Sequence, residues 1–178
     1  MEICSPIKDK NIIEQIKQKY LERNLKRDLL LFLLSINTGI KLTELLKLRV
    51  CDIKNKDLLI IKEPNTKVFP LNKEIRELAK EYTENRKVKE PLFISVFGKP
   101  VDRVQVFRNF KEICVELGLE KEYSVSSWRK TFGYHYYQKY GDLAVLEWLF
   151  NQTTVTETMK YIDIQEDLNS HFNKEFCL

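Results

Sequence analysis

Apolar stripes at helical spacing alternate along this chain with short polar punctuators. From Asp9 to Glu22, Ile12, Ile13, Ile16 and Tyr20 fall on one side with charged residues opposite, which predicts an amphipathic helix. Arg27 to Ile36 is apolar nearly all round, the pattern of a central core helix. Thr38-Gly39 ends it, and Leu42, Leu45, Leu46 and Leu48 predict another short helix over Leu42 to Leu48. The pattern then becomes that of strands: Asp57 to Lys62 reads as one and Thr66 to Leu71 as its partner across a turn at Glu63-Pro64-Asn65. Pro70 suits the end of an edge strand, where no ladder hydrogen bond is required of it.

Glu74 to Asn85 returns to helix, and Leu92 to Val96 is a short apolar, partly β-branched stretch turned by Gly98-Lys99-Pro100. Asp102 is placed to cap a helix through Val106, Phe110, Ile113 and Leu117 that Gly118 stops. A further helix starts near Ser127 and ends before Gly141, and Asp142 caps the next, Leu143 to Phe150. Asn151-Gln152-Thr153-Thr154 turns the chain into a short helix through Val155 and Met159 that delivers Tyr161. Beyond it, Leu168, Phe172 and Phe176 give Gln165 to Phe176 one apolar helical face, suited to docking on a second copy or folding back on its own domain. The fold class this predicts is mainly α with a small antiparallel β-sheet (α+β), with residues 1–178 forming one domain.

Composition narrows the function only a little. A length of 178 residues is enough for one real core and short for two. Lys and Arg number 30 against 26 Asp and Glu, and this net charge of +4 permits nucleic-acid binding without demanding it. Cys4, Cys51, Cys114 and Cys177 are scattered, with no Cys-x-x-Cys pair and too few His for zinc, so no metal and no cofactor is expected. Reduced thiols and the lack of a signal peptide predict a cytoplasmic protein. The most apolar run, Leu29 to Leu34, is far below the ~20 residues that cross a membrane.

The chemistry-bearing stretch is Ser126-Ser127-Trp128-Arg129-Lys130-Thr131-Phe132-Gly133-Tyr134-His135, followed by Gly141-Asp142-Leu143, Leu149-Phe150-Asn151-Gln152 and Tyr161. It resembles the His-x-x-Arg-His-Thr-Phe-Ala-Thr-His box, Gly-Asp-Leu turn, Leu-Gly-His element and Tyr nucleophile of the tyrosine recombinase (phage integrase) family. Upstream, Thr38-Gly39-Ile40-Lys41-Leu42-Thr43-Glu44-Leu45, with Leu48-Arg49 and Asp52-Ile53, is similar to that family's Thr-Gly-Leu-Arg-Ile-Ser-Glu-Leu…Leu-x-x-x-Asp-Ile. Phe69-Pro70-Leu71 matches its Val-Pro-Leu, and counting back from there places Lys62 on its hairpin Lys. The resemblance runs over about residues 10 to 165. It implies the family's catalytic-domain fold without the separate N-terminal DNA-clamping domain.

What the resemblance implies for each residue follows from the reaction. Tyr161 attacks a DNA phosphodiester, forming a 3′-phosphotyrosyl link and releasing a 5′-hydroxyl, and Arg129 supplies a forked donor for the developing oxyanion. Lys62 protonates the leaving oxygen, Gln152 donates to a phosphate oxygen, and Glu44 supports the fold around the first basic position. That position carries Lys41 where the family has Arg, so the bidentate geometry is lost. Ser126 stands where the family has His and cannot exchange a proton near neutral pH. Lys41, Lys62, Lys67, Arg129, Lys130 and Lys160 form the expected face for duplex DNA. Taken one at a time, these residues also have plainer readings: a solvated Lys62, an ion-paired Arg129, Lys41 at a helix end, His135 in a packing role, and Trp128, Phe132, Tyr134, Tyr136 and Tyr137 in the core. Three classes therefore stand: an impaired recombinase, an inactive DNA-binding regulator or accessory factor on the same fold, and a protein-interaction domain. Partners beyond DNA would be a second copy, through the tail, or a full-length recombinase.

Overall fold

The computed structural model describes residues 4–62, 65–120 and 122–164. Eight α-helices, one short 3-10 helix (Val50–Asp52, between α3 and β1) and one hairpin follow in order among them: α1 (Lys10–Glu22), α2 (Lys26–Thr38), α3 (Leu42–Leu45), β1 (Leu58–Ile61), β2 (Lys67–Pro70), α4 (Lys73–Thr83), α5 (Arg103–Glu116), α6 (Val125–Tyr140), α7 (Leu143–Phe150) and α8 (Val155–Tyr161). The strands pair antiparallel with Leu58 opposite Pro70 and Ile61 opposite Lys67. Pro70 thus closes an edge, as expected. Caps set most boundaries. Asp9, Asn72, Asp102, Asp142 and Thr154 each accept a backbone N–H from the first turn they precede. Gly39 and Gly141 end α2 and α6 in the left-handed conformation that costs a Cβ-free residue little.

Helix α2 is the hub. Leu29 to Leu34 are all buried, and the helix packs against α1, α3, α4 and α6. Trp128 of α6 is fully buried, edge-on to Phe32 and Phe110 with centroids 5.4 Å and 5.0 Å away. A second, smaller apolar cluster joins Leu146, Leu149 and Phe150 of α7 to Ile162, with Phe132, Tyr136, Tyr137 and Tyr161 packed on it. Phe69 of β2 touches both clusters. Trp128, Phe132, Tyr136 and Tyr137 of α6 accordingly pack in the two apolar clusters, as their core reading expects, whereas Tyr134 lies in neither.

Three departures from the sequence pattern have a visible physical cause. Helix α3 stops at Leu45, not Leu48, because the chain there turns to pair with an incoming segment: Leu92 N–H donates to the Leu48 carbonyl at 2.7 Å, and Val50 N–H to that of Glu90 at 3.0 Å. Leu92 to Val96 forms no ladder, only the isolated bridge Ile94–Pro100 in its own stretch, while Leu92 and Phe93 plug the core. Helix α6 begins at Val125, ahead of Ser127, because Ser124 caps it. The Ser124 Oγ accepts from Ser126 N–H, and its own N–H is received by the Ser127 Oγ, both at 3.2 Å. The segment Gln165–Phe176 lies outside the described residues, as does the turn at Glu63-Pro64.

Candidate active site

The seam between the two apolar clusters is where the candidate residues meet. On one side is the α2–α3 loop. Gly39 takes φ +65°, and a Cβ there would stand 2.5 Å from the Phe132 ring, so conformation and close approach both require glycine. That closeness brings the Gly39 carbonyl to Arg129, whose Nε donates to it at 2.8 Å. Nη2 of the same guanidinium donates to the Leu149 carbonyl, near the end of α7, at 3.1 Å, and the group lies 4.6 Å above the Phe150 ring. Arg129 is thereby tied both to the loop after α2 and to α7. A rigid fork with donors to spare is what recognition of a phosphate requires.

Tyr161 ends α8, half-buried, edge-on to Phe150 with centroids 5.2 Å apart. Burial raises the pKa of its hydroxyl, and the Arg129 guanidinium beside it pulls back in the opposite direction. The same burial lowers the Arg129 pKa, with Tyr161 and Glu44 opposing. Lys67, at the start of β2, is 6% exposed. Its Nζ donates to the Leu149 carbonyl at 3.1 Å and rests 5.1 Å above the Trp148 ring. Its pKa is lowered by burial, with Glu44 opposing and the charges of Arg129 and Lys41 adding to the shift. Lys41, Glu44, Lys67, Arg129 and Tyr161 therefore share one electrostatic neighbourhood.

The remaining sites fall outside that knot or on its edge. Lys62 is exposed at the end of β1 and shares with Glu44, Lys47 and Asp52 the wall of an open groove of about 710 Å³. Ser126 is exposed in the first turn of α6, and its hydroxyl makes no hydrogen bond among the described residues. Gln152 follows the left-handed Asn151 after α7. Its backbone N–H donates to the Glu147 carbonyl at 3.0 Å, and its side-chain oxygen is buried with no hydrogen-bond partner among the described residues. Within the basic set, Lys41, Lys62 and Lys160 are exposed, whereas Lys67 and Lys130 are engaged with protein. Lys130 Nζ donates to the Cys4 carbonyl at 2.7 Å and sits 5.4 Å over the Tyr161 ring.

Sequence reasoning does not reach the carbonyls of Gly39 and Leu149, which anchor Arg129, because a backbone acceptor has no residue identity. It also passes over Gly133, where a Cβ would lie 2.5 Å from Ile162 and 2.8 Å from Phe150. That glycine lets α6 approach the segment carrying Tyr161. A glycine inside a helical pattern was its one visible signal.

Comparison with known proteins gives this geometry its context. The model of the phage integrase family matches residues 9–167. The chain is 38% identical over 180 residues to Probable integrase/recombinase YoeC of Bacillus subtilis (strain 168), covering 99% of this chain and 98% of that protein. It is 21% identical over 164 residues to tyrosine recombinase XerD of Staphylococcus saprophyticus, covering 84% of this chain and 54% of XerD. Among solved structures, XerA recombinase superposes with a TM-score of 0.76 at 15% identity, over 93% of this chain and 61% of that one. XerH bound to its difH substrate superposes with a TM-score of 0.72 at 19% identity, over 98% of this chain and 53% of that one. The chain thus spans nearly all of the Bacillus relative and about half to three fifths of the length of the Xer proteins. Among the described residues no helix is long and apolar enough to cross a membrane.

Proposed function

This chain belongs to the phage integrase family, the tyrosine recombinases, and from that premise we propose that residues 4–164 act as a DNA-binding catalytic unit that breaks and rejoins DNA through Tyr161. The observation that carries the reading is the Arg129 guanidinium, anchored on two carbonyls beside the Tyr161 hydroxyl. In the proposed step the Tyr161 oxygen forms a bond to phosphorus while the bond from phosphorus to the 5′-oxygen breaks. The tyrosine proton leaves to solvent, and Lys62 gives a proton to the departing oxygen. Arg129, Lys41 and the Gln152 amide hold the non-bridging oxygens.

The reaction runs slowly in this reading. Losing one preorganised oxyanion donor costs about 10²–10³ in rate. Lys41 retains charge without the fork, and Ser126 withholds a proton-transfer group worth about 10²–10⁴. Duplex DNA is the partner, met in the cytoplasm, and the Gln165–Phe176 tail would link copies of the chain. The second reading, a DNA-binding accessory factor without chemistry, is favoured by these same two substitutions. A nicked suicide duplex, resolved on a denaturing gel, separates the readings. The expected result is a faint covalent adduct that Lys41→Arg with Ser126→His strengthens and Tyr161→Phe abolishes. Failure of the double variant to form any adduct while DNA is bound would leave the accessory role.

A further inference from the structure

We infer that Cys4–Lys8 is a strap that positions the Tyr161 helix, with Lys8 and Lys130 as the two positioning residues; the functional meaning rests on Tyr161 being the nucleophile, as proposed above. The strap lies along α6 and is tied down at each end. Cys4 Sγ lies 2.9 Å from the Ser124 Oγ, at the cap of the helix. Ile7, fully buried, has both backbone groups taken by α6 side chains: its N–H donates to Thr131 Oγ1 at 2.8 Å, and its carbonyl accepts from His135 Nε2 at 2.9 Å. Thr131 and His135 are one helical turn apart on the same face, so the strap has a built receptor. His135 therefore has a bonding role here besides packing. Asp9, next along, caps α1 and fixes where the strap ends.

Two lysines, Lys8 of the strap and Lys130 of α6, reach the Tyr161 segment. Lys130 extends from α6 to the Cys4 carbonyl and in doing so lies over the Tyr161 ring. Lys8 reaches past the Tyr134 ring to Asp163, two residues after the tyrosine, donating to its carbonyl at 3.1 Å and pairing with its carboxylate at 2.8 Å. Asp163 has φ +58°, so its bonds to Lys8 hold a backbone reversal that closes α8. Support of this kind is needed. Helix α8 has only seven residues, too few to persist by its own hydrogen bonds, and its buried contacts are confined to Thr158, Met159 and Ile162 with half-buried Tyr161. The strap thus fixes the one element whose placement decides how far the hydroxyl stands from Arg129.

Hydrogen–deuterium exchange of the full chain without DNA tests this directly, reading peptides over 155–164 against peptides of α2 as the measure of global stability. Lys8→Gln combined with Lys130→Met should speed exchange across 155–164 by roughly two- to fivefold, the scale of an exposed ion pair, with α2 unchanged. Lys8→Arg alone should retain the protection, since the charge and reach are kept. Unchanged exchange over 155–164 in the double variant overturns the proposal, and so does equal acceleration in α2, which would mean general destabilisation. Adduct formation on the nicked duplex, measured in parallel, should fall with the lost protection. If the parent chain forms no adduct, the recombinase reading fails while the exchange result still decides whether the strap holds α8.

Discussion

Tyr20 carries a single polar atom into the main core. Its ring is 1% exposed against Phe32, and its hydroxyl is buried with no hydrogen-bond partner among the described residues. Burial, with Asp28 and Cys114 adding, raises its pKa well above the ordinary 10.0. A phenol whose folded pKa exceeds its unfolded value contributes stability below the unfolded pKa, and that contribution is lost as pH rises above it. Stability should therefore fall above pH 10, and Tyr20→Phe should flatten that decline in chemical-denaturation curves taken from pH 8 to 11. The same change removes an unsatisfied buried oxygen, so it should leave stability at pH 7 unchanged or raise it by up to about 1–3 kcal/mol. Gly133 gives the opposite case. Gly133→Ala introduces a Cβ where Ile162 and Phe150 already stand, and thermal melts should show a loss of roughly 1–3 kcal/mol. The displaced partner is the segment after Tyr161, so adduct formation should fall along with stability.

At the scale of elements, α6 does the most with the least apolar bias. It carries Trp128 into the main core, Phe132 toward the α7–α8 cluster, and Arg129 into the seam between them. Its start depends on Ser124, whose cap also touches Cys4 of the strap. Ser124→Ala should cost about 1 kcal/mol in urea-denaturation midpoints, the common value for a lost N-cap. It should also loosen the strap, so exchange over 155–164 should rise more than in α2. The hairpin behaves differently from α6. Its Lys67 is locked against Leu149 while Lys62, at the other strand's end, is exposed. Because Lys67 pairs with Ile61 at the tip end of the hairpin, its bond to the Leu149 carbonyl anchors the strand end next to Lys62.

For the molecule as a whole, the net charge of +4 is small, and what matters is where the exposed cations stand. Lys41, Lys62 and Lys160 remain exposed, whereas Lys67 and Lys130 are committed to internal partners. Binding to duplex DNA should consequently be weak and driven by counterion release. Fluorescence anisotropy between ~50 and ~200 mM salt should show affinity falling by orders of magnitude if several phosphates are engaged. Lys67→Met, removing a buried cation, should flatten the logarithmic salt slope less than Lys62→Met does. Equal slopes for the two variants would place Lys67 on the DNA.

What the sequence determined by itself is what local physics controls. Side-chain caps at Asp102 and Asp142, the left-handed Gly141, and the spacing of apolar residues in α1, α2 and α5 each act within a few residues, so they are visible in the order of residues. The family's motif residues were visible for the same reason, since each motif is a short contiguous run. Tertiary structure decided where those runs stand relative to one another. Only the fold could bring the carbonyls of Gly39 and Leu149 to Arg129, stop α3 at Leu45 by pairing Leu48 with Leu92, or lay Cys4–Lys8 across α6. It also divided the lysines, because burial depends on neighbours far along the chain and Lys67 looks no different from Lys62 in a string of letters. Backbone acceptors and long-range burial leave no mark on residue type, and the site is held together mainly by these.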